Sequence, residues 1–180
     1  MPGKIHPMKH FFSLLIPLLA FLSSLAQQDN RGYLVRVGQR APDDFTINLI
    51  NGTTVSLKAL RGKTVMLQFT ASWCSVCRRE IPHIEKEIWK RYQDKQFVLI
   101  GIDRDEPLDT VIAYHRMMKV SYPFALDPGA LIFSRFASKD AGVTRNVLID
   151  SSGRIVFLTR LYDPGEFRQL KAKIAQLMKD

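Results

Sequence analysis

The two cysteines of this 180-residue chain lie in one short stretch, FTASWCSVCRRE, from Phe69 to Glu80. Cys74 and Cys77 are separated by only two residues. A Cys-x-x-Cys pair can bind a metal, close a small structural disulfide or carry out reversible thiol-disulfide exchange. No other stretch of the sequence offers comparable chemistry, so this choice decides the function.

A structural disulfide and a metal site both fit the sequence poorly. A disulfide that closes so short a loop constrains the unfolded chain very little. Zinc requires four ligands, and beyond residue 26 the chain adds only His83 and His115, neither at finger or ribbon spacing. A copper carrier would need a histidine near the later strands, and none follows His115. We therefore expect redox chemistry at the cysteine pair, with no metal and no cofactor.

The elements around the pair favour a reactive thiolate at Cys74. The runs TVMLQFT (Thr64–Thr70) and FVLIGID (Phe97–Asp103) are almost continuously apolar, as in central strands covered on both faces. Between them, apolar residues at helical spacing predict a helix from about Ser75 to Gln93. Cys74 would then lie at the start of a helix, where unpaired N–H groups and the helix dipole lower a cysteine pKa.

The remaining patterns predict a mixed α/β domain. Asn51-Gly52 and Ser151-Ser152-Gly153 each separate two strand-like runs, which indicates two hairpins. Further helices are expected from about Asp109 to Lys119 and from Glu166 to Lys179. The predicted order is β-β-β-α-β-α-β-β-α, which implies a mixed sheet with helices on both sides.

The N-terminal region has the pattern of a secretory signal peptide. Lys4 and Lys9 precede the apolar run Phe11–Leu22, and Ser24-Leu25-Ala26 offers small residues for cleavage. We expect residues 1–26 to be removed, residues 27–37 to form a lead-in segment and residues 38–180 to form one domain. The apolar run is shorter than the roughly 20 residues of a membrane span, so an uncleaved anchor is the weaker interpretation.

The charge of the chain does not indicate a nucleic-acid-binding protein. The formal net charge is +9, and removal of residues 1–26 deletes two lysines and no acid, leaving +7. The basic residues are scattered and interleaved with acidic ones, as in HIEKEIWKRYQDK. A solvated surface explains this pattern better than a nucleic-acid-binding patch.

Several stretches together resemble a known family. Val37–Pro82, followed by LIGIDRDEP, YPFALDP and NVLIDSSGRIVFL, is similar to exported thioredoxin-like thiol-disulfide oxidoreductases of the TlpA/ResA type, within the thioredoxin and peroxiredoxin superfamily. The resemblance implies an α/β thioredoxin-like fold: a mixed central sheet flanked by helices, with an N-terminal β-hairpin and a central α/β insertion. It also implies that Cys74 attacks and that Cys77 resolves the mixed disulfide.

The same resemblance assigns roles to neighbours of the pair. Trp73 corresponds to a tryptophan beside the active site that can support a docked partner, although a buried core aromatic is the alternative. Glu80 corresponds to an acidic residue able to exchange a proton with Cys77, and a solvated helix glutamate is its alternative. Pro82 corresponds to a proline that bends the helix.

The chain departs from the thioredoxin pattern at Thr144, where the family normally has a cis-proline. A cis bond before threonine would cost about 2.5–4 kcal/mol, so we expect a trans peptide. We expect the Thr144 backbone to pair with an extended substrate and the next residue, Arg145, to influence the thiolate or partner choice. Arg145 resembles the arginine that peroxiredoxins place beside their reactive thiolate, which makes a thiol peroxidase the second hypothesis.

The peroxidase motif itself is absent. Pro-x-x-x-Thr-x-x-Cys would require proline at Leu67 and threonine at Ala71. A second cysteine at such short range also favours disulfide closure over peroxide chemistry. A third hypothesis, a non-enzymatic thioredoxin-fold adaptor, would have no need of the reactive pair.

The sequence thus predicts a soluble, periplasmic or otherwise exported thiol-disulfide oxidoreductase. Ser75-Val76 places no charge between the cysteines, which favours a reductant. The expected partners are exported proteins with disulfides, among them apocytochromes as the resemblance suggests. With no third cysteine, a membrane electron donor would have to reset the pair.

Overall fold

A computed structural model describes residues 31–93 and 95–179, together with Met1 and Gly3. Apart from those two residues, the predicted signal peptide (1–26) and the start of the lead-in segment (27–30) lie outside the described residues. Within the described part of the chain, no helix is both long enough and apolar enough to cross a membrane.

Seven strands form one mixed sheet. They are β1 Thr46–Leu49, β2 Thr54–Ser56, β3 Thr64–Thr70, β4 Phe97–Arg104, β5 Phe124–Asp127, β6 Arg145–Ile149 and β7 Ile155–Arg160. The order across the sheet is β2-β1-β5-β4-β3-β6-β7. Strand β3 pairs parallel with β4 and antiparallel with β6, so the strand that leads to the cysteines lies near the middle of the sheet.

The helices cover both faces of this sheet. They are α1 Ser75–Ile84, α2 Lys90–Tyr92, α3 Leu108–Met118, α4 Phe133–Phe136 and α5 Pro164–Leu177, with 3₁₀ turns at Lys58–Leu60 and Pro128–Ala130. A π-helical turn, Glu85–Trp89, joins α1 to α2, so the predicted helix from Ser75 to about Gln93 is confirmed as one helical run. Pro82 lies inside α1 and cannot donate a backbone hydrogen bond there.

Both predicted hairpins and the thioredoxin-like architecture are confirmed, but the predicted element order was incomplete. Strand β5 and helix α4 were not predicted. Strand β5 has only four residues between two prolines, and its partners, β1 and β4, are distant in sequence. Such a strand is defined by tertiary pairing, and its local sequence pattern is too short to reveal it.

Side chains alternate between two hydrophobic cores, one on each face of the sheet. Leu67 and Phe69 of β3 point into the core that contains both cysteines. Met66 points into the opposite core, which buries the apolar side of α1, including Ile81 and Ile84. The cysteines therefore follow shortly after the end of β3, and α1, whose N-cap residue is Cys74, packs against the sheet.

Ordered structure begins before Gly38, the predicted start of the domain. We call residues 31–37 the N-terminal strap. The Leu34 N–H donates to the Phe136 carbonyl at 2.8 Å, and Tyr33 forms an isolated bridge with Ala137. This part of the lead-in segment is therefore packed against the domain.

Candidate active site

Cys74 lies at the N-terminus of α1, as the sequence predicts. It is the N-cap residue, with extended backbone angles (φ −83°, ψ 104°), and it forms a disulfide with Cys77. Its Sγ accepts a hydrogen bond from the Cys77 backbone N–H at 3.1 Å. One of the unpaired donors of the first helical turn is thus directed at this sulfur, in the position that would stabilise a thiolate.

The two cysteines differ in accessibility. Cys74 retains 7% of its surface, whereas Cys77 is completely buried. Trp73, directly before Cys74, is 62% exposed, so the alternative of a buried core aromatic is wrong for this residue. A molecule approaching the disulfide would meet Trp73 and the Cys74 sulfur first.

The loop before the cysteines is fixed by a carboxylate that sequence reasoning missed. Glu106 accepts hydrogen bonds from the backbone N–H of Ser72 at 2.5 Å and from its hydroxyl at 2.6 Å. The Ser72 carbonyl accepts one from Nη1 of Arg78 at 2.7 Å. These contacts hold Ser72 and, with it, the loop that leads to Cys74.

Glu80 is buried on α1, which excludes the alternative of a solvated helix glutamate. Asn146 of β6 donates to its Oε1 at 2.7 Å and to Thr159 Oγ1 at 2.8 Å. Its Oε2 has no hydrogen-bond partner within the described ranges. Burial raises the pKa of Glu80 to about 8, while the hydrogen bond from Asn146 opposes that increase. With this pKa the carboxyl is mainly protonated at pH 7 and keeps a minor ionised fraction, so it can both give and take a proton near neutrality.

A second buried carboxyl, Asp103, lies at the end of β4 and was not predicted as a site residue. Burial and the nearby Glu106 carboxylate raise the pKa of Asp103 to about 8. Asp103 is paired with Thr70 across the sheet, directly before the loop to the cysteines. Its sequence signal was a polar residue at the end of a buried apolar strand.

Thr144 has the expected trans peptide, since none of the described peptide bonds is cis. Its side chain is buried against the disulfide, with Oγ1 at 3.2 Å from Cys74 Sγ and 3.2 Å from Cys77 Sγ. The Thr144 carbonyl already accepts a hydrogen bond from Leu161 at 3.1 Å. This carbonyl is therefore already paired within the protein, and backbone pairing of Thr144 with a substrate stays a prediction.

Arg145 was expected to influence the thiolate or the choice of partner, but its position is that of a structural anchor. The side chain is fully buried, Nε donates to the Gly142 carbonyl at 3.0 Å, and Nη2 donates to the Arg31 carbonyl at 2.6 Å. The guanidinium also packs on the Tyr33 ring, 4.5 Å from its centroid. A Cβ added at Gly32 would lie 3.0 Å from Nη2, so the strap fits closely around this side chain. Arg145 thus attaches the N-terminal strap to β6.

Within residues 31–93 and 95–179, no group of three or more histidine, cysteine, aspartate or glutamate side chains is arranged to hold a metal ion.

A Cys-x-x-Cys disulfide at a helix N-terminus, beside a central parallel strand pair, is typical of thioredoxin-fold proteins. A profile of the AhpC/TSA family matches residues 37–158. The thiol-disulfide oxidoreductase ResA of Bacillus cereus is 30% identical over 122 residues, which cover 68% of each chain. A solution structure of a candidate protein disulfide isomerase from Bacteroides thetaiotaomicron is 58% identical, with a TM-score of 0.80 over 83% of this chain and 94% of that one.

A more distant structure has the same fold. A candidate thiol:disulfide interchange protein DsbE from Chlorobium tepidum gives a TM-score of 0.68 at 23% identity, over 80% of this chain and 99% of that one. The chain belongs to the AhpC/TSA family and is a thioredoxin-like thiol-disulfide oxidoreductase of the ResA/TlpA type. This activity implies partners that carry disulfides or the corresponding thiols.

Proposed function

We propose that the protein reduces disulfides of exported proteins, with Cys74 as the attacking thiolate and Cys77 as the resolving thiol. The observation that carries this assignment is the unequal accessibility of the two cysteines: Cys74 retains 7% of its surface and directly follows the exposed Trp73, and Cys77 is completely buried. Exchange requires direct contact between sulfur atoms, so the accessible cysteine must react first.

The reaction then proceeds in two balanced steps. The Cys74 thiolate attacks one sulfur of the partner disulfide, forms a mixed disulfide and releases the other partner sulfur as a thiolate. Cys77 loses its proton and attacks Cys74 Sγ, which re-forms the internal disulfide and releases the second partner sulfur. The partner gains two electrons, and the protein becomes oxidised.

Two neighbouring residues support these steps. The ionised form of Glu80, which is the minor form at pH 7, takes the proton from Cys77 during resolution, because its raised pKa of about 8 is close to that of an ordinary thiol. The exposed Trp73 offers an aromatic surface on which the partner segment can lie next to Cys74. Thr144 contributes to the partner-facing loop, whereas Arg145 acts indirectly by holding the strap.

The cellular setting is part of the same proposal. Residues 1–26 form a cleaved signal peptide, and residues 38–180, with the packed strap, form the exported thioredoxin-like domain. A membrane electron donor re-reduces the Cys74–Cys77 disulfide, and apocytochromes with oxidised cysteines are one class of substrate. The signal pattern of Lys4, Lys9 and Phe11–Leu22 supports export, and the absence of a third cysteine supports an external donor.

The direction of electron flow predicts a low reduction potential. We expect the pair to lie nearer to thioredoxin, about −270 mV, than to the oxidant DsbA, about −120 mV. A weakly stabilised thiolate favours the disulfide form and so gives a more negative potential. Ser75 and Val76 carry no charge that would stabilise the thiolate, and the Arg78 guanidinium donates to the Ser72 carbonyl. Equilibration with glutathione and dithiothreitol buffers, followed by alkylation and mass spectrometry, measures the potential. A value near −120 mV would reverse the proposed direction.

Loss of the Arg145 guanidinium should distinguish a disulfide reductase from a peroxidase. We expect Arg145→Ala to lower stability, because it removes contacts to Gly142, Arg31 and Tyr33, yet to retain most disulfide reduction when assayed well below its Tm. We also expect the wild type to consume hydrogen peroxide little faster than a free thiol. Rapid peroxide consumption that collapses in the still-folded variant, together with weak disulfide reduction by the wild type, would favour the peroxidase.

A further inference from the structure

We propose that the Thr144 hydroxyl is a catalytic hydrogen-bond donor that stabilises a thiolate on either cysteine of the pair. Its Oγ1 is equally distant, at 3.2 Å, from the Sγ atoms of Cys74 and Cys77. This inference rests on the proposed exchange reaction and adds a side-chain role at a position where only backbone pairing was expected.

The direction of the hydrogen bond follows from the state of the sulfurs. Sulfurs in a disulfide carry no hydrogen, so the Thr144 hydroxyl must donate and the sulfurs must accept. A hydroxyl has one hydrogen, which it can direct at one sulfur or share between the two. Since hydrogen bonds to ionised acceptors are about twice as strong as neutral ones, the hydroxyl stabilises a thiolate more than it stabilises the disulfide.

The hydroxyl is held in place before any reaction begins. Thr144 is buried and β-branched, which restricts its χ1 rotation. Its carbonyl is fixed by the Leu161 N–H at 3.1 Å, and Leu161 adopts a left-handed backbone conformation (φ 61°) at that contact. A donor fixed in this way requires little reorganisation when negative charge develops on a neighbouring sulfur.

In the reduced protein, the hydroxyl adds a second donor to the Cys74 thiolate. The first is the Cys77 backbone N–H, at 3.1 Å in the disulfide form. Removal of the hydroxyl should raise the pKa of Cys74 and destabilise the reduced state. The disulfide would then be favoured, and the reduction potential would become more negative.

During re-reduction, the same hydroxyl serves Cys77. A donor thiolate attacks Cys74 Sγ, a new S–S bond forms, and the electron pair of the broken bond remains on Cys77 Sγ. This sulfur is completely buried, where an unpaired anion is costly. In the disulfide form, the Thr144 hydroxyl lies at hydrogen-bond distance from it, 3.2 Å. The hydroxyl therefore stabilises the leaving group without moving its side chain.

The direct test compares Thr144→Val with Thr144→Ser. Valine keeps the shape and removes the hydroxyl, whereas serine keeps the hydroxyl. We expect Thr144→Val to shift the redox equilibrium with dithiothreitol about tenfold toward the disulfide, about 30 mV, and to raise the Cys74 pKa followed by thiolate absorbance. Thr144→Ser should stay close to the wild type in both measurements. Reduction of the disulfide by limiting dithiothreitol at pH 7 should also slow in Thr144→Val.

Two further variants control for packing. Thr64→Val makes the same substitution at a buried position at the far end of β3 and should leave the equilibrium unchanged. Thr144→Ala gives a second hydroxyl-free protein if valine prevents folding, and it should shift the equilibrium in the same direction.

An unchanged equilibrium and Cys74 pKa in a folded hydroxyl-free variant would overturn the proposal. So would a serine variant that behaves like the valine variant. Because dithiothreitol equilibration involves only the protein's own cysteine pair, these outcomes do not depend on the proposed partners or direction of electron flow. An error in those parts of the proposed function would appear in the potential of the wild type and in partner assays.

Discussion

Replacing Cys77 by serine should convert the protein into a covalent trap for its partners. The Cys74 thiolate can still attack a partner disulfide, but the mixed disulfide persists because the resolving thiol is absent. Cys77 has no exposed surface, so serine at this position should leave the approach to Cys74 unchanged. We expect the full chain, expressed with its native N-terminal sequence, to accumulate mixed disulfides that non-reducing electrophoresis and mass spectrometry detect. Multiple turnover with insulin as a model substrate should fall to background.

The matched control is Cys74→Ser, which leaves the buried Cys77 thiol without the more accessible Cys74. This variant should capture almost no partner and should show no turnover. Limiting iodoacetamide should label Cys74 first in the reduced wild type, because it is the cysteine that retains some exposed surface. Equal capture by both serine variants, or faster labelling of Cys77, would contradict the assigned roles.

Local sequence signals were sufficient to predict many of the strands, hairpins and helices of this fold. Asn51-Gly52 and Ser151-Ser152-Gly153 predicted hairpins because such turns depend on nearby residues. The strands β3 and β4 and the helix between them followed from apolar patterns of the correct period. Strand β5 was missed because its four residues are extended as a result of pairing with β1 and β4, and no local sequence pattern marks them as a strand.

The site shows the same division between local and tertiary information. The position of Cys74 at a helix N-cap could be predicted, since strand, loop and helix are consecutive in sequence. The contact of Thr144 with both sulfurs depends on β6 lying beside β3. This pairing brings Thr144 next to cysteines that precede it in the sequence by 70 and 67 positions. The burial of Arg145 depends on the strap, which was predicted only as part of a lead-in segment before the domain.

One sequence signal of the polar cluster around Glu80 was overlooked, namely polar residues within apolar strands. Gln68 in TVMLQFT and Asn146 in NVLID are both fully buried, and Asn146 donates to Glu80. A buried amide requires hydrogen-bond partners, so its presence in a central strand indicates a polar cluster under the sheet. Only the register between β3 and β6, with Gln68 opposite Asn146, shows where that cluster lies.

Glu80→Gln should change the pH dependence of stability in a defined direction. Burial raises the pKa of Glu80 to about 8 in the folded protein, above about 4.3 for an unfolded chain. The folded state therefore binds more protons between these values, and the free energy of unfolding falls as pH rises through this window. Glutamine stays neutral and still offers an oxygen to Asn146. We expect the oxidised variant to be a few kcal/mol more stable than the wild type at pH 8 and to show a flatter profile by urea unfolding.

The same substitution should slow catalysis while it stabilises the fold, because an amide cannot take the proton from Cys77. At pH 7, we expect resolution of a preformed mixed disulfide to slow on the order of 10²-fold. Asp103→Asn is the matched control, since burial and Glu106 also raise the pKa of Asp103 to about 8. It should flatten the stability profile in the same sense but leave resolution nearly unchanged. If both variants resolve the mixed disulfide as fast as the wild type, Glu80 has no role in proton transfer. If Asp103→Asn alone is slow, the base for Cys77 lies on β4 and the assignment of Glu80 is wrong.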